Sequence, residues 1–306
     1  MSATDLNYGA IEAGEPPGKY VGFKRMIVAV GLKQPALWAY RSVANLRLWR
    51  YVVTGGFRSG MLALGETNHY GFPARWITMD QHQSDLTGYF NEKCVIPFAD
   101  ASLEAVYSAH FIEHLTPAAL SRLFSEIRRV LRPGGAVRLE TVDAELLRRA
   151  YRCRDEQILT HFRNARKYLV DELRFPKKYL EDQLTFVGEV ASYMLPGGPP
   201  VHIPVYATAQ EVDRRLDMPL EEFSAWAQSL KSPEQIISGG HNCALSGARL
   251  KKLLLDAGFA EARESRYGET GIKKLSLNRG FWRSIWDSIT EKPHRRSFSC
   301  YVEAFA

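Results

Sequence analysis

The sequence predicts an α/β fold built around a parallel sheet, and three observations predict it. Glu104–Asp143 reads as strand, helix, tight glycine turn and strand. The residues from Phe259 to the C-terminus read as strand, excursion and strand. Between them, 152–240 carries the 3.6-residue periodicity of helices rather than the alternation of strands.

Taken in order, residues 1–18 lack periodicity and are expected to form a loose tail. Residues 19–60 form a basic, aromatic segment with Tyr20, Phe23, Trp38, Tyr40, Trp49 and Tyr51 among its arginines and lysines. Pro35–Val53 is expected to be helical, with apolar residues on more than one side. Two readings of it stand. It packs on the sheet with its arginines snorkelling to solvent, or it docks an anionic membrane surface or an acidic partner.

Met61–Leu64 is the first strand and Arg75–Asp80 the second. Only Gly65–Ala74 lies between them, which is too short for a full crossover helix. Glu104–Ser108 is the next strand. The helix Thr116–Leu131 follows, with Leu120, Leu123, Phe124, Ile127, Val130 and Leu131 on one face and Pro117 in its tolerant first turn. Pro133, Gly134 and Gly135 stop it, and Ala136–Thr141 starts a new strand, giving a right-handed βαβ unit. From Asp155 the pattern turns helical, first through Ile158, Phe162, Ala165, Leu169 and Leu173, then through Leu180, Leu184, Val187, Ala191 and Met194. Pro219–Leu230 is a further helix, so 151–240 reads as a mostly helical insertion. Ser246 caps a helix that ends at Ala257, with Gly258 as its stop. Phe259–Tyr267 is a strand, Arg279–Ile289 a short helix and Ser297–Phe305 the last strand.

Composition bounds the function. The chain has 306 residues, 45% of them hydrophobic, which supplies a large core. Its four cysteines are far apart and make no CxxC, which argues for reduced thiols in a cytoplasmic setting rather than a disulfide frame. No signal peptide is visible, and the apolar run Met26–Leu32 is too short to span a bilayer, so peripheral contact is the most membrane association expected. Net charge is +6, yet Pro16–Gly65 alone carries +8 and no acid, leaving the remainder at −2. No nucleic-acid-binding motif accompanies the basic segment, so a nucleic-acid partner is not expected. A homo-oligomer remains open.

His110, Glu113 and His114 spell H-x-x-E-H, a pattern also used by a class of zinc peptidases. Here the motif leaves a strand rather than sitting mid-helix, and the sequence offers no third ligand, so no metal is expected.

A strand ending in Ser-x-His-x-x-Glu-His-Leu, followed by a helix ending in Glu-Ile-x-Arg-Val-Leu-x-Pro-Gly-Gly, resembles the Rossmann-like S-adenosylmethionine-dependent methyltransferases. Bacterial members found with polysaccharide and natural-product pathways are the nearest in pattern. The resemblance covers Met61–Asp143, and more weakly the part from His241 onward. It implies a doubly wound sheet closed by an antiparallel C-terminal pair, with 61–150 and 241–306 as its two halves and 151–240 as a substrate lid. It implies S-adenosylmethionine as cofactor, methyl transfer, and a hydroxyl, amine or carboxyl of a small molecule or glycan as acceptor.

The resemblance also assigns residues. Leu64, Gly65 and Glu66 stand in the loop after the first strand, where most members have a Gly-x-Gly and only one glycine remains here. Met79, Asp80 and Gln81 end the second strand, and the Asp80 carboxylate offers two acceptor oxygens to two ribose hydroxyls. Asp85 and Leu86 fall where adenine is contacted, and Ala109 and His110 flank the cofactor. His241 is the leading candidate for a base, with His114 and Asp143 as further catalytic candidates, each balanced against a purely structural role. The altered Gly65-Glu66-Thr67 loop keeps a second reading in play, a non-catalytic binding or scaffold subunit on the same fold.

Overall fold

We describe the protein from a computed structural model, over residues 60–65, 76–81, 84–153, 155, 209–230, 241–267, 269–272 and 298–306. The expected tail, the basic segment, most of the 65–74 connection, the helices between 156 and 208 and the 279–289 helix fall outside these residues.

Among the described residues seven strands form one sheet in the order β3-β2-β1-β4-β5-β7-β6. They are β1 Gly60–Leu64, β2 Trp76–Asp80, β3 Leu86–Thr87, β4 Leu103–Ala109, β5 Leu131–Val142, β6 Glu261–Ser265 and β7 Ser299–Phe305. The first five run parallel, while β7 is antiparallel to both β5 and β6. The doubly wound α/β sheet with an antiparallel C-terminal closure is thus as expected. Order reverses between β1 and β4, and the crevice beyond the carboxyl ends of those strands is where such sheets bind ligands.

β1 and β4 are buried along both faces. Leu62, Leu64, Val106, Val137 and Val302 join Leu120, Leu123, Phe124 and Ile127 of helix α1 (Pro117–Val130) in the main core. Met61, Ala63, Trp76, Ala105 and Tyr107 line the other face. Helix α1 begins as its sequence dictates, with the Thr116 hydroxyl accepting from Ala119 N–H and Pro117 in the first turn.

The strand after α1 departs from expectation. It begins at Leu131 rather than Ala136, because Leu131 already pairs with Leu103 before the chain loops out through Pro133–Gly135 and resumes at Ala105↔Ala136. Loop 96–100, the Ile-Pro-Phe-Ala-Asp run, is clamped to α1. Arg129 donates to the carbonyls of Ile96 and Phe98 and to the carboxylates of Glu126 and Asp100, while Glu126 accepts from Ile96 N–H.

Two elements were not foreseen. One is the two-residue β3. The other is helix α2, Ala144–Cys153, which buries Leu147, Ala150 and Tyr151. Those side chains meet Val212, Leu216, Leu220 and Phe223, from α3 (Ala209–Asp213), the turn after it and α4 (Leu220–Ser229), in a second core that includes Phe298. Arg148 of α2 donates to the Leu216 and Met218 carbonyls and sits over the Phe223 ring. The described end of the insertion is therefore anchored to α2. Helix α5, Gly247–Asp256, is capped by Ser246 as expected, and Gly258 follows it at φ +89°. Among the described residues no helix is long and apolar enough to cross a membrane.

Candidate functional site

The end of β4 carries the site. Ser108 donates to the Leu64 carbonyl at 3.2 Å, locking β4 to β1 at the crevice. His110 then adopts φ +47°, a left-handed conformation that costs a non-glycine residue about 1–3 kcal/mol and is held only where its surroundings enforce it. Those surroundings are explicit. His110 N–H donates to the Glu140 carbonyl at 2.9 Å. Its Nε2 lies 2.8 Å from Ser299 Oγ and 3.2 Å from Glu140 Oε1, and its Nδ1 lies 3.2 Å from Glu113 Oε1. Glu140 is itself buried, with the hydroxyls of Tyr107 and Tyr301 each 3.4 Å from its oxygens.

Glu113 lies in the single 3-10 turn Ile112–His114 that follows. Its Oε2 accepts from the Thr141 hydroxyl at 2.9 Å, tying the turn to β5. Its backbone carbonyl accepts from Asn242 N–H at 2.6 Å and Cys243 N–H at 3.0 Å, and Asn242 Nδ2 donates to the His114 carbonyl at 2.8 Å. The chain returning from the insertion is thereby stitched to the turn. His241 packs edge-to-face on His114, ring centroids 4.7 Å apart. Burial acts to raise the Glu113 carboxyl, but the His110 hydrogen bond and the charges of His110, His114 and His241 outweigh it and hold the group well below the usual carboxylate range.

The structure thus brings together three sequence candidates, His110, His114 and His241, around Glu113. His241 is buried beside His114 rather than standing at an open mouth. Glu140, Thr141 and Ser299 were missed as partners. The signal for Glu140 was present, since a charged residue inside a strand that reads as buried needs a partner.

The β1–β2 side carries the candidates for the cofactor. Leu64, Met79 and Ala109 are buried and apolar. Gly65 takes φ +73°, and a Cβ there would stand 2.2 Å from Phe111 Cγ. Its N–H donates to the Met79 carbonyl at 2.9 Å. Asp80 is half-buried at the tip of β2, its backbone fixed by Ser84 and Gly88, and Gln81 beyond it is exposed. Asp85 uses Oδ2 internally, accepting from Thr78 N–H at 3.0 Å and from the Thr78 hydroxyl at 3.1 Å. Leu86, in β3, is half-buried against the main core. Glu66 falls outside the described residues.

Asp143 caps α2, its Oδ1 accepting from Glu145 and Leu146 N–H at 3.1 Å each. Burial pushes its carboxyl up from the ordinary range against those hydrogen bonds. Asp143→Asn keeps the acceptor and removes the buried charge, so it should melt at or slightly above the wild type, whereas Asp143→Ala should lose about 1 kcal/mol. Equal melting of the two variants would show that the cap contributes nothing.

Residues 69–139, just under a quarter of the chain, match the family model of a methyltransferase domain. The match supports a Rossmann-like S-adenosylmethionine-dependent methyltransferase, with S-adenosylmethionine as its cofactor. No curated protein matches the chain. Among solved structures, an S-adenosylmethionine-dependent methyltransferase from Mesorhizobium loti aligns at 11% identity and TM-score 0.37, over 81% of this chain and 90% of that one. A counterpart from Archaeoglobus fulgidus aligns at 14% identity and TM-score 0.36, over 87% and 94%. A Haemonchus contortus phosphoethanolamine N-methyltransferase, in complex with phosphomonomethylethanolamine and S-adenosylhomocysteine, aligns at 11% identity and TM-score 0.30, over 85% and 52%. These likenesses are distant and say nothing of the acceptor.

Proposed function

We propose that the chain transfers a methyl group from S-adenosylmethionine to a hydroxyl, amine or carboxyl of a small molecule or glycan. The observation that carries this reading is His110, held in a left-handed conformation by two buried carboxylates at the β4 end of the β1/β4 crevice. Strain of that kind clusters at active sites.

The described residues fit the cofactor. Gly65 turns the chain at the end of β1 at φ +73°, with Phe111 packed where a side chain would stand. Asp80 stands half-buried at the end of β2 as an acceptor for ribose hydroxyls. Leu86 offers half-buried apolar surface, while Leu64, Met79 and Ala109 are buried at the ends of β1, β2 and β4, and Gln81 and Asp85 are the remaining candidates beside them. The bound cofactor supplies an already activated methyl group. The protein's work is then to align donor and acceptor, exclude water and, for a hydroxyl acceptor, receive a proton. His241, His114 and Asp143 are our candidates for that last task. The insertion 151–240 is read as the element that selects the acceptor.

Calorimetry with S-adenosylhomocysteine tests the reading. The wild type should bind, and Asp80→Ala should weaken binding by about 1.5–3 kcal/mol, the scale of hydrogen bonds to a charged group. Absence of binding by the wild type would favour a scaffold subunit. Wild-type affinity in Asp80→Ala would remove the ribose assignment.

A further inference from the structure

Glu113, His114 and His241 each present a ligand atom, and these atoms all lie within 4.8 Å of one another. We propose that the three form a binding site for a divalent transition-metal ion of the zinc class. Two imidazoles and one carboxylate make a mixed nitrogen–oxygen donor set. Such a set suits zinc and its neighbours, whereas magnesium and calcium favour all-oxygen sites.

The site is built rather than incidental. Its two chain segments are fixed by the bonds from Asn242 and Cys243 N–H to the Glu113 carbonyl and from Asn242 Nδ2 to the His114 carbonyl. Glu113 is 1% exposed. One of its oxygens accepts from Thr141, and Oε1 pairs with His110 Nδ1 at 3.2 Å. A carboxylate oxygen accepts more than one partner, so the buried Glu113 keeps acceptor capacity for a cation in the cluster. His110 and Thr141 then act as the outer partners that orient a ligating carboxylate.

In a tetrahedral zinc site with bonds of about 2.0–2.1 Å, ligand atoms stand roughly 3.3 Å apart. The three groups must therefore close by about 1.5 Å at most, within reach of small side-chain rotations. Three protein ligands leave a coordination position open. That position would take an oxygen of the methyl acceptor, a hydroxyl or carboxylate, a consequence that rests on the proposed methyl transfer. The ion site itself does not, and with the ion bound His114 and His241 would be ligands and not proton acceptors.

The test uses the full chain, stripped with a chelator and titrated with zinc by calorimetry and with cobalt by visible absorption. The wild type should bind one equivalent. His114→Ala and His241→Ala should each weaken binding by more than the 10- to 100-fold, roughly, that loss of a supporting residue costs. His241→Cys retains a ligand, so it should still bind and should add a thiolate-to-cobalt charge-transfer band, which a merely misfolded protein would not show. Cys153→Ser, which removes the exposed thiol, should bind as the wild type does. Absence of one-to-one binding by the wild type, or binding undiminished in both alanine variants, overturns the proposal. Titration with S-adenosylhomocysteine is read separately, so loss of the cofactor assignment and loss of the ion site are distinguishable outcomes.

Discussion

Replacing Arg138 by alanine should destabilise the protein by about 3–5 kcal/mol, the scale for breaking a buried ion pair. Arg138 lies in the middle of β5 at 1% exposure, and Glu303 faces it from β7 at 1%. Its guanidinium donates to Glu303 Oε1 at 3.0 Å, to Ser265 Oγ, and to the carbonyls of Glu269 and Arg266 at 2.9 Å. Removing it takes one donor from each of two carbonyls, although Glu269 C=O keeps the Ser265 hydroxyl and Arg266 C=O keeps Glu269 N–H, and leaves Glu303 with Arg263, Thr270 and Gly271 N–H. Because those partners remain, the lower half of the range is expected. Denaturant titration measures it, and a loss below about 1 kcal/mol would show that the remaining donors suffice. A double variant, Arg138→Met with Glu303→Leu, should recover much of the loss, since apolar replacement of a whole buried pair is often neutral.

Gly65→Ala should have the second large effect, about 2–6 kcal/mol of stability together with impaired cofactor binding. Two costs add. An alanine at φ +73° carries strain of about 1–3 kcal/mol. Its Cβ would lie 2.2 Å from Phe111 Cγ and 2.4 Å from Phe111 Cβ, so the base of that side chain must move, at the usual overpacking cost of about 1–3 kcal/mol. Phe111 cannot simply rotate away, because its ring packs edge-to-face on Phe90, centroids 4.7 Å apart. Thermal melting and S-adenosylhomocysteine titration of the variant check both halves. A variant that melts and binds as the wild type does would show that the crevice adapts freely.

What was legible in the sequence was local. Thr116, Pro117 and the Pro133–Gly135 turn announce the βαβ unit because each acts on its own few residues. The Ser246 cap and the Gly258 stop do the same for α5. Helix α2 was missed because its buried Leu147, Ala150 and Tyr151 are interleaved with Arg148, Arg149 and Arg152, and because Asp143, its cap, was read as a catalytic candidate. β3 has only two residues and exists through its register with Met79 and Asp80. In the site, the H-x-x-E-H motif was visible, yet its last two residues meet His241 only because the chain returns from the insertion and pairs with the Glu113 carbonyl. No local pattern encodes that return.

The Arg148 contacts carry a mechanical consequence. To swing 209–230 away alone would break two charge-assisted hydrogen bonds, each worth about 1.5–3 kcal/mol, and would uncover Phe223. Moving as a rigid lever, the segment takes α2 with it. The fulcrum of that lever is Asp143, which caps α2 and whose N–H also donates to the Phe298 carbonyl beside Ser299. Asp143 immediately follows β5, where Glu140 and Thr141 brace His110 and Glu113. Torque applied at the insertion is thus delivered to the two strands that hold His110 in its left-handed backbone.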